Sequence, residues 1–155
     1  MKNQILVIGT IPPCPRCKLL TEILVAEIQS FGTDAEVRHI AYTSEEAFLI
    51  ARELDLEPGT AKEVAKKIGQ TIDLDSPNTI EIPPVLWDDH KYKGLSHLKN
   101  LFDQVNILDN RLRVYEDAAE ENGILMTPVF MINGDVIYKG SVPDIDFIRS
   151  KLGEL

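Results

Sequence analysis

The stretch Gly9-Thr10-Ile11-Pro12-Pro13-Cys14-Pro15-Arg16-Cys17-Lys18 holds the only two cysteines of the 155-residue chain, at C-x-x-C spacing. The apolar run Ile5-Leu6-Val7-Ile8 precedes it, and Leu20, Ile23, Leu24 and Ile28 follow at helical spacing. A strand, a turn and a helix are therefore predicted in direct succession, with the cysteine pair at the helix start. Cys14 falls at the N-cap and Pro15 at the first helical position, where its fixed φ suits the helix and its missing N–H costs nothing. The unpaired N–H groups and the positive end of the helix dipole favour a thiolate at Cys14. Arg16 adds a cation nearby. Cys17 lies one turn further in, close enough for a small disulfide ring.

Such a pair has three chemical readings. As a redox pair, Cys14 attacks and Cys17 resolves, because exchange needs an accessible thiolate and a second thiol to release the mixed disulfide. As a metal site, the pair holds Zn or Cu(I), both suited to thiolates. Structural zinc usually takes four protein ligands, and only His39, His90 and His97 are available to join, none at a metal-ligand spacing. As inert side chains, the cysteines fill a core and the chain is a redox-silent partner-binding module.

The rest of the chain is punctuated clearly. A second strand is predicted over Glu36–Tyr42; His39 lies inside it, as a partly buried strand residue or as a side chain that reaches the cysteines. Thr43-x-x-Glu46 and Thr60-x-x-Glu63 read as capping boxes of two amphipathic helices, with Glu57-Pro58-Gly59 breaking between them. Asp73-Leu74-Asp75-Ser76-Pro77-Asn78 is turn chemistry. Pro83-Pro84 precedes a short Val85-Leu86-Trp87 run, and Leu98, Leu101, Phe102 and Val105 mark a third helix. Leu112, Tyr115 and Ala119 mark a further one, ending at Asn122-Gly123. Asn133-Gly134 is a strong hairpin signal, joining Val129–Ile132 to Val136–Tyr138. The final helix starts at Ser141-Val142-Pro143-Asp144, with Pro143 in its first turn and Ile145, Ile148 and Leu152 inward.

Strand, C-P-x-C and helix, followed late in the chain by Met126-Thr127-Pro128-Val129-Phe130-Met131-Ile132, resemble the thioredoxin fold, and best the small glutaredoxin-like redox-disulfide proteins. The resemblance covers residues 1–42 and 109–155. It implies one α/β domain over 1–155 with a mixed sheet, ordered β-α-β, helical insert (43–108), α-β-β-α. A helical insertion there also resembles the layout of DsbA-type oxidoreductases. The resemblance further implies a cis-proline at Pro128 beside the cysteines, with Thr127 presenting backbone groups to an extended substrate and Pro15 and Arg16 beside it. Ile82-Pro83-Pro84-Val85 competes for that role, and the turn at Asn133-Gly134 favours Pro128.

The chain departs from thioredoxins proper. Pro13 stands where they carry Trp, Pro15-Arg16 replaces Gly-Pro, and the first strand holds no acid. The implied activity is thiol–disulfide exchange with protein partners, with an upstream thiol reductant and without cofactor or metal. A net charge of −9 argues against nucleic acid and anionic membranes. No apolar run reaches membrane-spanning length. The N-terminus enters a strand without signal-peptide regions, so a cytoplasmic location is expected.

Overall fold

The computed structural model describes residues 2–72 and 82–155. The predicted turn at 73–78 lies outside them. Strand β1 (Asn3–Gly9) is buried from Ile5 onward, which is why its run is continuously apolar rather than alternating. It pairs in parallel with β2 (Ala35–Ala41) and antiparallel with β5 (Val129–Ile132), which pairs antiparallel with β6 (Asp135–Lys139). The mixed sheet has the order β2-β1-β5-β6. Asn133 and Gly134 take φ of 49° and 90°, the left-handed conformation a tight β5–β6 turn requires.

Helix α1 (Pro15–Phe31) stops at Gly32, which takes the left-handed conformation. Its buried Leu19, Leu20, Ile23, Leu24 and Ile28 share a core with Ile5 and Val7 of β1 and with Ile145, Ile148 and Leu152 of α5 (Ile145–Gly153). Truncating any one of the large ones to Ala would cost about 2–5 kcal/mol. The exposed Arg38–Glu46 pair at 3.0 Å contributes only about 0–1 kcal/mol. Packing, not surface charge, seats this layer. On the opposite face Leu6 and Ile8 meet Ala47 and Ala51 of α2 (Glu45–Glu53).

Four expectations shift. Helix α2 is capped by Ser44, whose hydroxyl accepts from the Ala47 N–H, rather than by Thr43. Asp144 caps α5, so Pro143 precedes the helix instead of sitting in its first turn. Glu57–Gly59 is not a simple break but a strand, β3, paired in parallel with β4 (Ile124–Met126). Glu57 N donates to Gly123 O and Thr127 N to Gly59 O, so the intervening Pro58 needs no N–H. The two helices expected around Phe102 and Tyr115 are one, α4 (Lys99–Ala119), and the expected boundary at 108 falls in its middle. Helix α3 (Ala61–Lys67) has the Thr60–Glu63 capping box as expected.

The Pro83-Pro84 segment lies along α4: Asn106 donates to Pro83 O, and Val85 N donates to Asp103. Trp87 stacks on Tyr92 at 4.4 Å, both rings meet Phe102 edge-on, and Leu95 is fully buried. Tyr92 and Leu95 belong to the core, and Trp87 and Phe102 pack partly buried against it. Glu27 holds Arg149 through two hydrogen bonds of 3.0 and 3.1 Å, tying α5 to α1.

Candidate functional site

Cys14 is the N-cap of α1, with extended backbone, and Pro15 follows at the first helical position. Its carbonyl accepts the first helical bond from Lys18 N, and its own N–H donates to Thr10 Oγ1 at 2.8 Å. Both cysteines are free: Cys14 is partly exposed and Cys17 is buried. Their sulfurs are 3.3 Å apart and hydrogen-bonded. That contact, with Cys17 keeping its proton, is the main cause holding the Cys14 thiol down at about 5. Burial opposes the shift; the Cys17 backbone, the Thr10 hydroxyl and the Arg16 backbone assist it. The same hydrogen bond, then burial and then the Cys14 charge, push Cys17 well above the ordinary thiol range. One sulfur is an accessible thiolate at neutral pH and the other a protonated thiol. That is the division of labour thiol exchange needs.

Arg16 has a different part from the substrate-side one that the resemblance implied. It is 6% exposed. Its Nε donates to Asp109 Oδ1 at 2.7 Å, Nη1 reaches Thr127 O at 3.5 Å, and Nη2 donates to Gly140 O. Its guanidinium is spent on holding α1, α4, the β4–β5 loop and the β6–α5 corner together. Toward Cys14 it contributes through its backbone. Asp109 was not anticipated, although an acid inside the apolar stripe Val105, Leu112, Tyr115 was its signal. Burial raises the Asp109 carboxyl and the Arg16 charge opposes this; its second oxygen accepts from Val142 N at 3.2 Å. At Gly140 (φ 91°) a Cβ would stand 2.7 Å from Glu116 Cγ, so the corner sits tight against α4.

The Thr127–Pro128 peptide bond is cis, as is Ile11–Pro12, which no sequence signal marked. The register Ile8↔Val129 sets Pro128 beside the end of β1, next to the turn that carries the cysteines. Thr127 is buried; its N–H is committed to Gly59 O, and only its carbonyl, loosely held by Arg16, has capacity left for a substrate. An apolar cavity of about 370 Å³ opens beside Cys14 and Pro15 and is lined by Thr127, Tyr42, Glu63, Leu108 and Leu112. Burial pushes the Glu63 carboxyl up, but the hydrogen bonds from Thr60 and Tyr42 prevail and leave it below its usual value. Thr10 and Gly9 are the other residues the motif itself did not single out. A Cβ on Gly9 would fall 2.3 Å from Cys17 Sγ, so only glycine fits there.

Among the described residues no three His, Cys, Asp or Glu side chains are grouped to hold a metal ion. Nor is any helix there long and apolar enough to cross a membrane. The mixed sheet in the order β2-β1-β5-β6, with the cysteine pair opening α1, decides the architecture. The fold is thioredoxin-like. No family model matches the chain, and no curated protein matches it. Among solved structures it is similar to the crystal structure of oxidised BdbD from Bacillus subtilis, at 17% identity and a TM-score of 0.37, over 98% of this chain and 86% of that one.

Proposed function

We propose that this chain is a thiol–disulfide oxidoreductase that exchanges disulfides with protein partners. The observation that carries the reading is the sulfur pair: a thiolate-stabilised Cys14 3.3 Å from a buried, protonated Cys17. The Cys14 thiolate attacks one sulfur of a partner disulfide, and the other sulfur leaves with the electron pair. Cys17 then gives up its proton and attacks Cys14, releasing the partner as a dithiol and leaving a Cys14–Cys17 disulfide. An upstream thiol reductant restores the pair; run in reverse, the same steps oxidise a partner.

The cavity beside Cys14 supports a substrate with an apolar side chain next to its cysteine, seated between Leu108 and Leu112 while the chain passes over Pro15 and Pro128. Tyr42, Glu63 and Leu108 come from the region between β2 and the middle of α4, which on this reading shapes partner choice. The same reading keeps the location cytoplasmic, where a lone cysteine pair is more often catalytic than structural.

Trapping tests it. Cys17→Ser should accumulate mixed disulfides through Cys14, seen as thiol-reversible adducts on gels and by mass, and Cys14→Ser should accumulate few. Equal trapping by both variants, or by neither, would remove the reading.

A further inference from the structure

His39 stands on β2 opposite Val7 of β1, and its side chain points to the α1 side of the sheet. Its Nε2 is buried and has no hydrogen-bond partner among the described residues. A buried nitrogen left unpaired loses its hydration without a replacement, so its place calls for an explanation. The position supplies one. A point one bond from Gly9 Cα lies 2.3 Å from Cys17 Sγ and 3.0 Å from His39 Nε2, so sulfur and nitrogen converge on the gap that the glycine leaves open.

We propose that His39 is the proton-transfer partner of Cys17, taking its proton across the Gly9 gap when Cys17 attacks the mixed disulfide. The step rests on the oxidoreductase reading above. The proton passes from Cys17 Sγ to His39 Nε2, the Cys17 sulfur bonds to Cys14 Sγ, and the bond from Cys14 to the partner breaks. The partner sulfur leaves as a thiolate, and the imidazolium returns its proton to it or to water. In the reverse direction the imidazolium protonates Cys17 as it departs.

The groups facing His39 agree with this role. From α1 it is the Cys17 sulfur and, from the N-cap before it, the Cys14 charge; from β1 they are Val7 and the side-chain-free Gly9, neither titratable. On its own strand Arg38 points to the other face, where Glu46 holds it. Burial therefore keeps the imidazole below its ordinary value, with only the Cys14 thiolate opposing, so the ring is neutral and able to accept a proton at neutral pH. Cys17 needs such an acceptor, since its own thiol is held far above the neutral range.

Reaction of the reduced full chain with dithiobis-nitrobenzoate, followed by release of thionitrobenzoate, separates the two steps: the first release reports Cys14, the second Cys17. His39→Gln should leave the first phase within about twofold and slow the second by about tenfold or more at neutral pH, in line with loss of a general base. The second phase of the wild type should be level near neutral pH and fall in acid, whereas in the variant it should climb steadily into the alkaline range. His39→Asn, checked for folding by circular dichroism, should give the same profile. An unchanged second phase and pH profile in either folded variant would overturn the role of His39. A wild type that shows no second phase would overturn the oxidoreductase reading with it.

Discussion

Arg16 Nε stands 2.7 Å from Asp109 Oδ1, both side chains buried, and this pair joins the first turn of α1 to the middle of α4. Removing one partner strands the other charge in the interior, at a cost of about 3–5 kcal/mol. Asp109→Ala should therefore lower the urea midpoint sharply, while the paired replacement Arg16→Met with Asp109→Leu should lose much less. The pair acts on the site by position, so the double variant should keep the Cys14 titration within about one pH unit of the wild type. Loss of the low Cys14 value in a well-folded double variant would show that the guanidinium charge matters after all.

The depressed Cys14 value makes three further claims. Thiol alkylation followed against pH should show a midpoint at about 5. In Cys17→Ala the largest cause is gone, so the midpoint should move up toward the ordinary 9.0. Thr10→Val should move it in the same direction by less. A midpoint unchanged by Cys17→Ala would refute the sulfur–sulfur hydrogen bond as the cause.

The same shift links redox state to stability. Cys14 has a folded-state value below its unfolded one, so its contribution is present above the unfolded value and is lost as pH falls through about 5. Only the reduced chain has this titrating thiol. Denaturation midpoints of the reduced protein, measured relative to the oxidised one, should therefore rise from pH 5 to pH 8. A flat or falling difference would contradict the assignment.

Much of this was legible locally. The β5–β6 turn is written in Asn133-Gly134, because few other pairs accept two positive φ values in succession. The cysteine turn is equally legible, since Pro15 suits the first position of a helix and bars one that began a turn earlier. What could not be read depends on distant partners. Asp109 interrupts the apolar face of α4 and looks like the end of a helix, until Arg16, 93 residues away, is seen to accompany it into the interior. Pro58-Gly59 looks like a breaker because the neighbour that makes it a strand, Leu125-Met126, lies far along the chain. His39 left two readings open for the same reason: only the fold brings its nitrogen over Gly9.

Gly9→Ala would drive a methyl group to within 2.3 Å of Cys17 Sγ. The sulfur sits on a helix with no room to retreat, so overpacking of about 1–3 kcal/mol is expected, together with a raised Cys14 titration midpoint as the sulfur pair separates. Unchanged thermal stability and an unchanged midpoint in Gly9→Ala would show that the close approach is not real.

The cavity makes a claim about substrates. Leu108→Ala removes apolar surface beside Cys14, worth about 1–2 kcal/mol to an apolar side chain bound there, at roughly 0.8 kcal/mol per buried methylene. Exchange with a peptide disulfide flanked by Leu or Phe should slow by roughly tenfold, the factor that 1.4 kcal/mol represents. Exchange with glutathione disulfide should hardly change. Equal losses on both would place the effect at the sulfurs and not in a substrate pocket.

The central claim is that Cys14 and Cys17 form a reversible disulfide, and a redox titration reads it directly. The purified chain is equilibrated in graded glutathione or dithiothreitol buffers, quenched with an alkylating agent and weighed by mass spectrometry. The account predicts one two-electron transition between a doubly alkylated form and an unalkylated form carrying the Cys14–Cys17 disulfide. A chain that stays doubly alkylated throughout, or that only gathers glutathione on Cys14 without closing the pair, would contradict it.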